Sequence, residues 1–183
     1  MRYLYSTRDL GRVYDSDSTE VVAYSDSAFN SLPYGRSSTS FFFSVGRDNA
    51  PFLSVAKAQE IVATCIMTGE YISGSHCCRN VNYLLEILSD IGEPAKGPIV
   101  LFLDSRTAIN IAYAPFVTKK SRHIERDHHY IRDLTLRNKV KPTHIPAPHM
   151  RAAVMSKYLP RAPFFRGRDG LLNSNAFCTV SLK

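Results

Sequence analysis

The amino-acid sequence predicts an α/β domain in which helices cover both faces of one mixed sheet. The chain has 183 residues, of which 44% are hydrophobic and 21% charged, a composition that fits one globular domain rather than a disordered or membrane protein. Three β-rich segments come first, and later strands alternate with helices. Because successive strands joined by turns are antiparallel and strands joined by helices are parallel, this order indicates a mixed sheet.

The first three strands form a predicted antiparallel meander. Residues 20–29 are rich in β-formers and end at a turn-like loop over residues 30–35. Residues 38–45 contain three consecutive phenylalanines and form the second strand. Residues 51–56 form the third strand, after a turn that starts at Gly46. Short turns of this kind join antiparallel neighbours.

The spacing of apolar residues becomes helical after Ala58 and stays so up to a stop signal at Gly92. Two further glycines in this stretch, Gly69 and Gly74, predict a break that divides it into two helices. The next segment, residues 99–103, is apolar at every position, which is typical of a strand buried on both faces.

The remaining sequence predicts shorter elements. Ser105 follows the buried strand and is placed to cap a helix that runs through Ala112. The later elements are a charged helix over residues 124–138, a strand over 140–145 and a last helix over 150–159. The chain therefore divides into a linker over residues 1–18, a domain over 19–160 and a basic C-terminal tail over 161–183.

Charge is distributed unevenly along the chain. The first 100 residues carry 8 Lys or Arg and 11 Asp or Glu, whereas residues 101–183 carry 15 and 5, so the overall charge of +7 comes from the second part. With a pI near 9.3, this favours a polyanionic partner such as nucleic acid. The alternative is that these basic residues form an ordinary solvated surface.

Cysteine usage and the N-terminus argue against several other classes. The four cysteines contain no Cys-x-x-Cys pair, and we expect small buried side chains rather than a zinc site or disulfides. The N-terminus lacks the apolar segment of a secretory signal, and no apolar run reaches the roughly 18 residues of a membrane span. We therefore expect an intracellular protein without a membrane partner, in a cytoplasmic particle or an organelle.

Three acids stand at unusual positions. Asp26 lies inside the first strand pattern, Asp104 ends the apolar strand, and Glu70 lies in an otherwise apolar helical segment. A carboxylate inside a strand is costly to bury unless it is hydrogen-bonded, paired or bound to metal. Each acid alone is a weak signal, because a single helical glutamate usually faces solvent.

Several segments that contain these acids resemble, in order, the RNase H domain of copia-type LTR retrotransposons. They include Tyr24-Ser25-Asp26, Gly69-Glu70-Tyr71-Ile72, Leu103-Asp104-Ser105, Arg122-His123-Ile124-Glu125 and Ser156-Lys157-Tyr158-Leu159-Pro160. The resemblance implies an RNase H-like fold with a five-stranded sheet and an RNA/DNA hybrid as substrate. It also implies that Asp26, Glu70 and Asp104 are catalytic acids that bind Mg²⁺, or alternatively Mn²⁺, as hard oxygen ligands.

Departures from the family pattern concern the same site. In the last helix the family has a pattern like Ala-Asp-Ile-Leu-Thr-Lys, so that Ala153 stands where the fourth metal-binding carboxylate is expected. Pro148-His149 replaces an acidic pair, and Arg106 stands where the family has glutamine. Losing one of four acids predicts weak metal binding and slow or absent hydrolysis. An engineered inactivation and a copy taken over by its host both explain Ala153.

Polar and basic residues after Asp104 form a predicted surface for the phosphate groups of a nucleic acid. For its histidines, an ordinary helix surface is the alternative, and His149 is also placed to cap the last helix. The predicted nucleic-acid-binding residues are Ser105, Arg106, Lys119, Lys120, Arg122, His123, Arg126, His149 and Arg151.

Two functions fit the sequence. The first is a ribonuclease that cleaves the RNA of RNA/DNA hybrids, weakened by Ala153, with a reverse transcriptase in the same polyprotein. The second is a non-catalytic module that binds structured RNA in a ribonucleoprotein such as an organellar ribosome. The three acids favour the first function, whereas Ala153, Arg106 and the basic C-terminal part favour the second.

Overall fold

A computed structural model describes residues 2–14, 20–115 and 129–172, which contain five strands and six α-helices. Two single turns of 3₁₀ helix cover Pro33–Gly35 and Ala147–His149. In chain order the elements are α1 (Arg2–Ser6), β1 (Val21–Ala28), β2 (Ser38–Val45), β3 (Pro51–Ala58), α2 (Ile66–Asp90), β4 (Ile99–Leu103), α3 (Arg106–Tyr113), α4 (Tyr130–Leu136), β5 (Val140–His144), α5 (Ala153–Ser156) and α6 (Arg161–Leu172).

The five strands form one mixed sheet in the order β3-β2-β1-β4-β5. β1 and β3 are both antiparallel to β2, whereas β4 is parallel to β1 and to β5. The predicted meander and the predicted strand over residues 99–103 are both confirmed. Because β1 and β4 are parallel neighbours, their carboxyl ends meet at one edge of the sheet, where polar sites of α/β folds are usually found.

Helices cover both faces of this sheet, as the sequence predicts. Side chains alternate along a strand, so Ala23 of β1 joins a core cluster with residues of α2, α3 and α4. Val22 and Tyr24 point to the other side and join a second cluster with Met150, Ala152 and partly buried residues of α5. We refer to these two sides as the α2 face and the α5 face.

The long helix α2 is continuous over Ile66–Asp90, so the predicted break at its glycines is wrong. Both glycines instead allow close packing. A Cβ atom at Gly69 would lie 3.1 Å from Ser27 Oγ, and one at Gly74 would lie 3.0 Å from Ile131 Cδ1. The predicted helix start near residue 58 is also wrong, because β3 continues to Ala58. Among the described residues, no helix combines the length and the apolar character needed to cross a membrane.

The C-terminal part differs most from the prediction. Instead of one helix over residues 150–159, the chain has the 3₁₀ turn Ala147–His149 and the four-residue helix α5. Residues 161–172, predicted as part of a tail, form α6. A Cβ atom at Gly167 would lie 3.0 Å from Val154 Cβ, so α6 packs closely on α5, a contact that no local pattern reveals. Residues 173–183 lie outside the described residues, and the domain boundary at residue 160 stays a prediction.

The two helices predicted after β4 can also be compared with the structure. α3 runs over Arg106–Tyr113, and the Ala108 N–H donates to Ser105 Oγ at 3.2 Å, which confirms the predicted cap. Of the charged helix predicted over residues 124–138, the described part is α4, which ends at Leu136. Residues 124–128 lie outside the described ranges.

Candidate metal centre

The three predicted acids meet at the edge where β1 and β4 end. One ligand atom from each of Asp26, Glu70 and Asp104 lies within 4.8 Å of the others. Asp26 and Glu70 are buried, with 0% and 3% of their surface exposed, whereas Asp104 is half-buried. No other His, Cys, Asp or Glu of the described ranges joins this group.

Strand register and helix packing bring the acids together. Tyr24 of β1 is level with Phe102 of β4, so the same register carried two residues further sets Asp104 beside Asp26. α2 then supplies Glu70 from its first turns. Its approach to β1 is fixed by Gly69, as described above, and by Ser73, whose Oγ–H donates to the backbone oxygen of Asp26 at 2.8 Å.

Glu70 has one satisfied and one open carboxylate oxygen. The backbone N–H and the Oγ–H of Ser27 donate to Oε1 at 3.3 and 2.9 Å. Oε2 is buried without a hydrogen-bond partner among the described residues. Burial, followed by the charges of Asp26 and Asp104, raises the pKa of Glu70 to about 8. Without a bound cation, this raised pKa favours the protonated form of Glu70 at neutral pH.

Asp26 is held in a different way, by a cation and a hydroxyl from the end of α5. Lys157 Nζ donates to Oδ1 at 2.7 Å, and Ser156 Oγ donates to Oδ2. Burial raises the pKa of Asp26, whereas these two donors act in the opposite direction. Burial also disfavours the charge of Lys157, but the attraction of Asp26, supported by Glu70 and Asp104, outweighs it and raises the pKa of Lys157.

Sequence reasoning missed Ser156 and Lys157 as site residues. Both belong to a segment that supports the family resemblance, and they match its Thr-Lys pair. That match was the available signal. Ala153, one turn earlier, is the first residue of α5 and brings no carboxylate to the cluster. This segment therefore brings the positive charge of Lys157 to the site without the negative charge that the family pattern has at residue 153.

The donor set fits a hard divalent cation. Three carboxylates supply only oxygen ligands, which Mg²⁺ and Mn²⁺ prefer. The buried open oxygen of Glu70 lacks a partner that a cation would provide, and an uncompensated buried oxygen is costly. The residues present can therefore hold a metal ion.

Curated proteins that resemble this chain in sequence include two plant retrotransposon polyproteins. The retrovirus-related Pol polyprotein from transposon RE2 of Arabidopsis thaliana is 24% identical over 181 residues, 97% of this chain. The corresponding polyprotein from transposon TNT 1-94 of Nicotiana tabacum is 24% identical over 165 residues, 90% of this chain. The chain spans only 12% of the length of each relative. No family model matches the sequence.

Solved structures give the fold. LC11-RNase H1, isolated from compost by a metagenomic approach, superposes with a TM-score of 0.54 and 14% identity over 75% of this chain and 92% of that protein. The foamy viral protease-reverse transcriptase in complex with an RNA/DNA hybrid gives 0.55 and 14% identity over 84% of this chain and 21% of the viral protein. This chain has an RNase H-like fold. The predicted resemblance to copia-type retrotransposon proteins is confirmed by the two polyproteins.

Arg151 does not belong to a basic surface of this RNase H-like fold, so its prediction as a nucleic-acid contact is wrong. Only 6% of its surface is exposed. Its guanidinium lies 5.5 Å from the ring centre of Tyr24 and donates to the backbone oxygens of Asn49, at 3.0 Å, and of Gly170. The charge of Arg151 can be buried because four backbone carbonyls and two aromatic rings replace the water that would otherwise surround it.

The other predicted nucleic-acid contacts have mixed positions in the RNase H-like fold. Arg106 is exposed at the start of α3, next to the Ser105 cap, and close in sequence to Asp104. His149 is half-buried at the end of a 3₁₀ turn, and the N-terminus of α5 has no side-chain cap, so the capping alternative is wrong. The remaining predicted contacts lie outside the described residues: Lys119, Lys120, Arg122, His123 and Arg126.

Proposed function

We propose that this chain is a nucleic-acid-binding domain that holds a divalent cation, Mg²⁺ or Mn²⁺, with Asp26, Glu70 and Asp104 and cleaves the RNA strand of RNA/DNA hybrids slowly. The observation that carries the proposal is the meeting of three carboxylates in an RNase H-like fold, where Glu70 also has a buried oxygen without a hydrogen-bond partner among the described residues. The viral neighbour in complex with an RNA/DNA hybrid supports this class of ligand, and the polyprotein relatives support a reverse transcriptase in the same chain.

The residues of the site would have different roles in this proposed reaction. A bound divalent cation would stabilise charge on a phosphate oxygen and lower the pKa of a bound water. Asp26, Glu70 and Asp104 would hold it, and Glu70 would give up the proton that its raised pKa keeps on it in the metal-free protein. Ser27 holds Oε1 of the Glu70 carboxylate, and Oε2 has no hydrogen-bond partner among the described residues. Arg106, exposed two residues after Asp104, would contact the backbone of the substrate.

The absence of a carboxylate at residue 153 makes this proposed activity slow. A cation held by three acids and opposed by the charge of Lys157 binds less tightly than one held by four acids. The same absence favours a second candidate function, that of a non-catalytic module which binds structured RNA in a ribonucleoprotein.

An assay on a labelled RNA/DNA hybrid separates the two functions. The native chain, Ala153→Asp and Asp26→Asn are compared with Mg²⁺ or Mn²⁺ present and after chelation. We expect slow, metal-dependent cleavage by the native chain, about tenfold or more faster cleavage by Ala153→Asp, and none by Asp26→Asn. Fast cleavage that Ala153→Asp leaves unchanged contradicts the weakened site. Absence of cleavage in all three, with retained RNA binding, supports the binding module.

A further inference from the structure

Both carboxylate oxygens of Asp26 already have donors from one short segment. Ser156 is the last residue of α5, and Lys157 follows it in an extended conformation, with φ −119° and ψ 145°. This turn of the backbone points the two side chains at Asp26, the hydroxyl to Oδ2 and the ammonium to Oδ1. A divalent cation that binds Asp26 must share or displace these donors.

The segment is fixed to the sheet. Ser38 Oγ donates to the backbone oxygen of Ser156 at 2.9 Å, and Ser40 Oγ donates to that of Ala152 at 2.9 Å. Only 35% of the Lys157 side chain is exposed. Lys157 is therefore held against the acids by its surroundings, unlike a surface lysine that samples many rotamers.

The other side of the acidic group is open. Glu70 Oε2 has no donor among the described residues, and Asp104 is half-buried. The group thus presents one fixed positive charge at Asp26 and an unoccupied oxygen at Glu70. An ammonium 2.7 Å from Asp26 and a divalent cation on the same carboxylate repel each other, and solvent screens this repulsion weakly because the Asp26 side chain is buried.

We propose that Lys157 is a built-in cation that competes with a divalent metal for Asp26 and thereby limits how tightly this site binds metal. The proposal rests on the proposed function in one respect, since it takes the three acids as the metal ligands. In the metal-free protein, the ammonium of Lys157 holds the Asp26 carboxylate in place and offsets its negative charge. It also makes metal loading an exchange of one cation for another.

Calorimetric titration with Mn²⁺ alone tests this competition without any substrate. Lys157→Met removes the charge at similar length, Lys157→Gln removes it but keeps a donor, and Lys157→Arg keeps the charge. Lys57→Met is the matched control, because Lys57 also pairs with a carboxylate, Glu60 at 3.9 Å, outside the acidic group. We expect the Mn²⁺ affinity of Lys157→Met and Lys157→Gln to exceed that of the native chain by about tenfold or more. The affinities of Lys157→Arg and Lys57→Met should match that of the native chain.

Thermal unfolding provides the second measurement. Without metal, Lys157→Met should unfold at a lower temperature than Lys57→Met, and saturating Mn²⁺ should remove that difference because the metal replaces the missing charge. Mn²⁺ binding by Lys157→Met but not by the native chain also supports the proposal. Equal affinity in all variants overturns it and leaves the proposed function standing. Absence of binding in every variant overturns both.

Discussion

On the α2 face of the sheet, Glu70 accepts hydrogen bonds from the uncharged donors of Ser27, whereas toward the α5 face Asp26 contacts the ammonium of Lys157. Both acids are buried. The first solution leaves Glu70 with a raised pKa and a proton at neutral pH, and the second leaves Asp26 paired with a positive charge. A buried carboxylate is tolerated either as a neutral acid or beside a cation, and this molecule uses one solution for each acid.

The largest expected effect comes from Arg151, the buried cation of the α5 face. Arg151→Met leaves the carbonyls of Asn49 and Gly170 without their buried donor, so we expect the free energy of unfolding to fall by about 3 kcal/mol or more. Urea denaturation measures it. Arg137→Met is the control, because Arg137 makes an exposed ion pair with Asp133. Equal losses in the two variants would show that the α5 face does not depend on its buried charge.

A pH series tests the neutral acid of the α2 face. Between the ordinary pKa of 4.5 and the raised value of about 8, the unfolded chain has lost the Glu70 proton that the metal-free protein keeps. The unfolded state then binds fewer protons, so the free energy of unfolding falls as pH rises through this window, by up to a few kcal/mol.

Glu70→Gln supplies the control for this series. The variant cannot ionise, and we expect its metal-free stability to change much less across the same window. Asp26, Asp104 and Lys157 face Glu70 and are present in both proteins, so the difference between the two curves reports the ionisation of Glu70 together with its interactions with these groups. Parallel curves would mean that Glu70 is ionised in the folded protein.

The smallest expected effect comes from the uncharged donor. Ser27→Ala removes the 2.9 Å hydrogen bond to Glu70 Oε1 and leaves the longer one from the backbone, so we expect a loss of about 1 kcal/mol in the free energy of unfolding. Because Ser27 lowers the pKa of Glu70, the variant should also move the pH transition upward. A loss as large as that of Arg151→Met would remove the contrast between the two faces.

Much of the sheet could be predicted from the sequence because its signals are local. Residues 99–103 are apolar at every position, and the structure gives β4 these bounds. The meander also follows from turn residues and β-rich segments. The acids of the site were found through the family resemblance, since Glu70 alone has no feature that distinguishes it from a surface glutamate.

The errors concern residues whose role is set by distant contacts. Glycines such as Gly69 and Gly74 often mark a helix break. In this fold they instead allow close packing, because Ser27 and Ile131 lie directly opposite them. An arginine in a basic segment, such as Arg151, is a typical phosphate contact. In this fold, however, backbone carbonyls from the β2–β3 turn and from α6 enclose its guanidinium. Lys157 lies in no local pattern that indicates a contact with Asp26, so its match to the family's Thr-Lys pair is the signal that the sequence offers.

The enclosure of Arg151 also makes α6 part of the structural unit. Gly170 of α6 supplies one of the carbonyls around the guanidinium, and the N–H of Val13 donates to the backbone oxygen of Leu172 at 3.1 Å. A fragment cut at residue 160 would remove both contacts and leave the Arg151 guanidinium without one of its four carbonyl partners. The shortest fragment that preserves the α5 side of the sheet therefore extends through the last turn of α6.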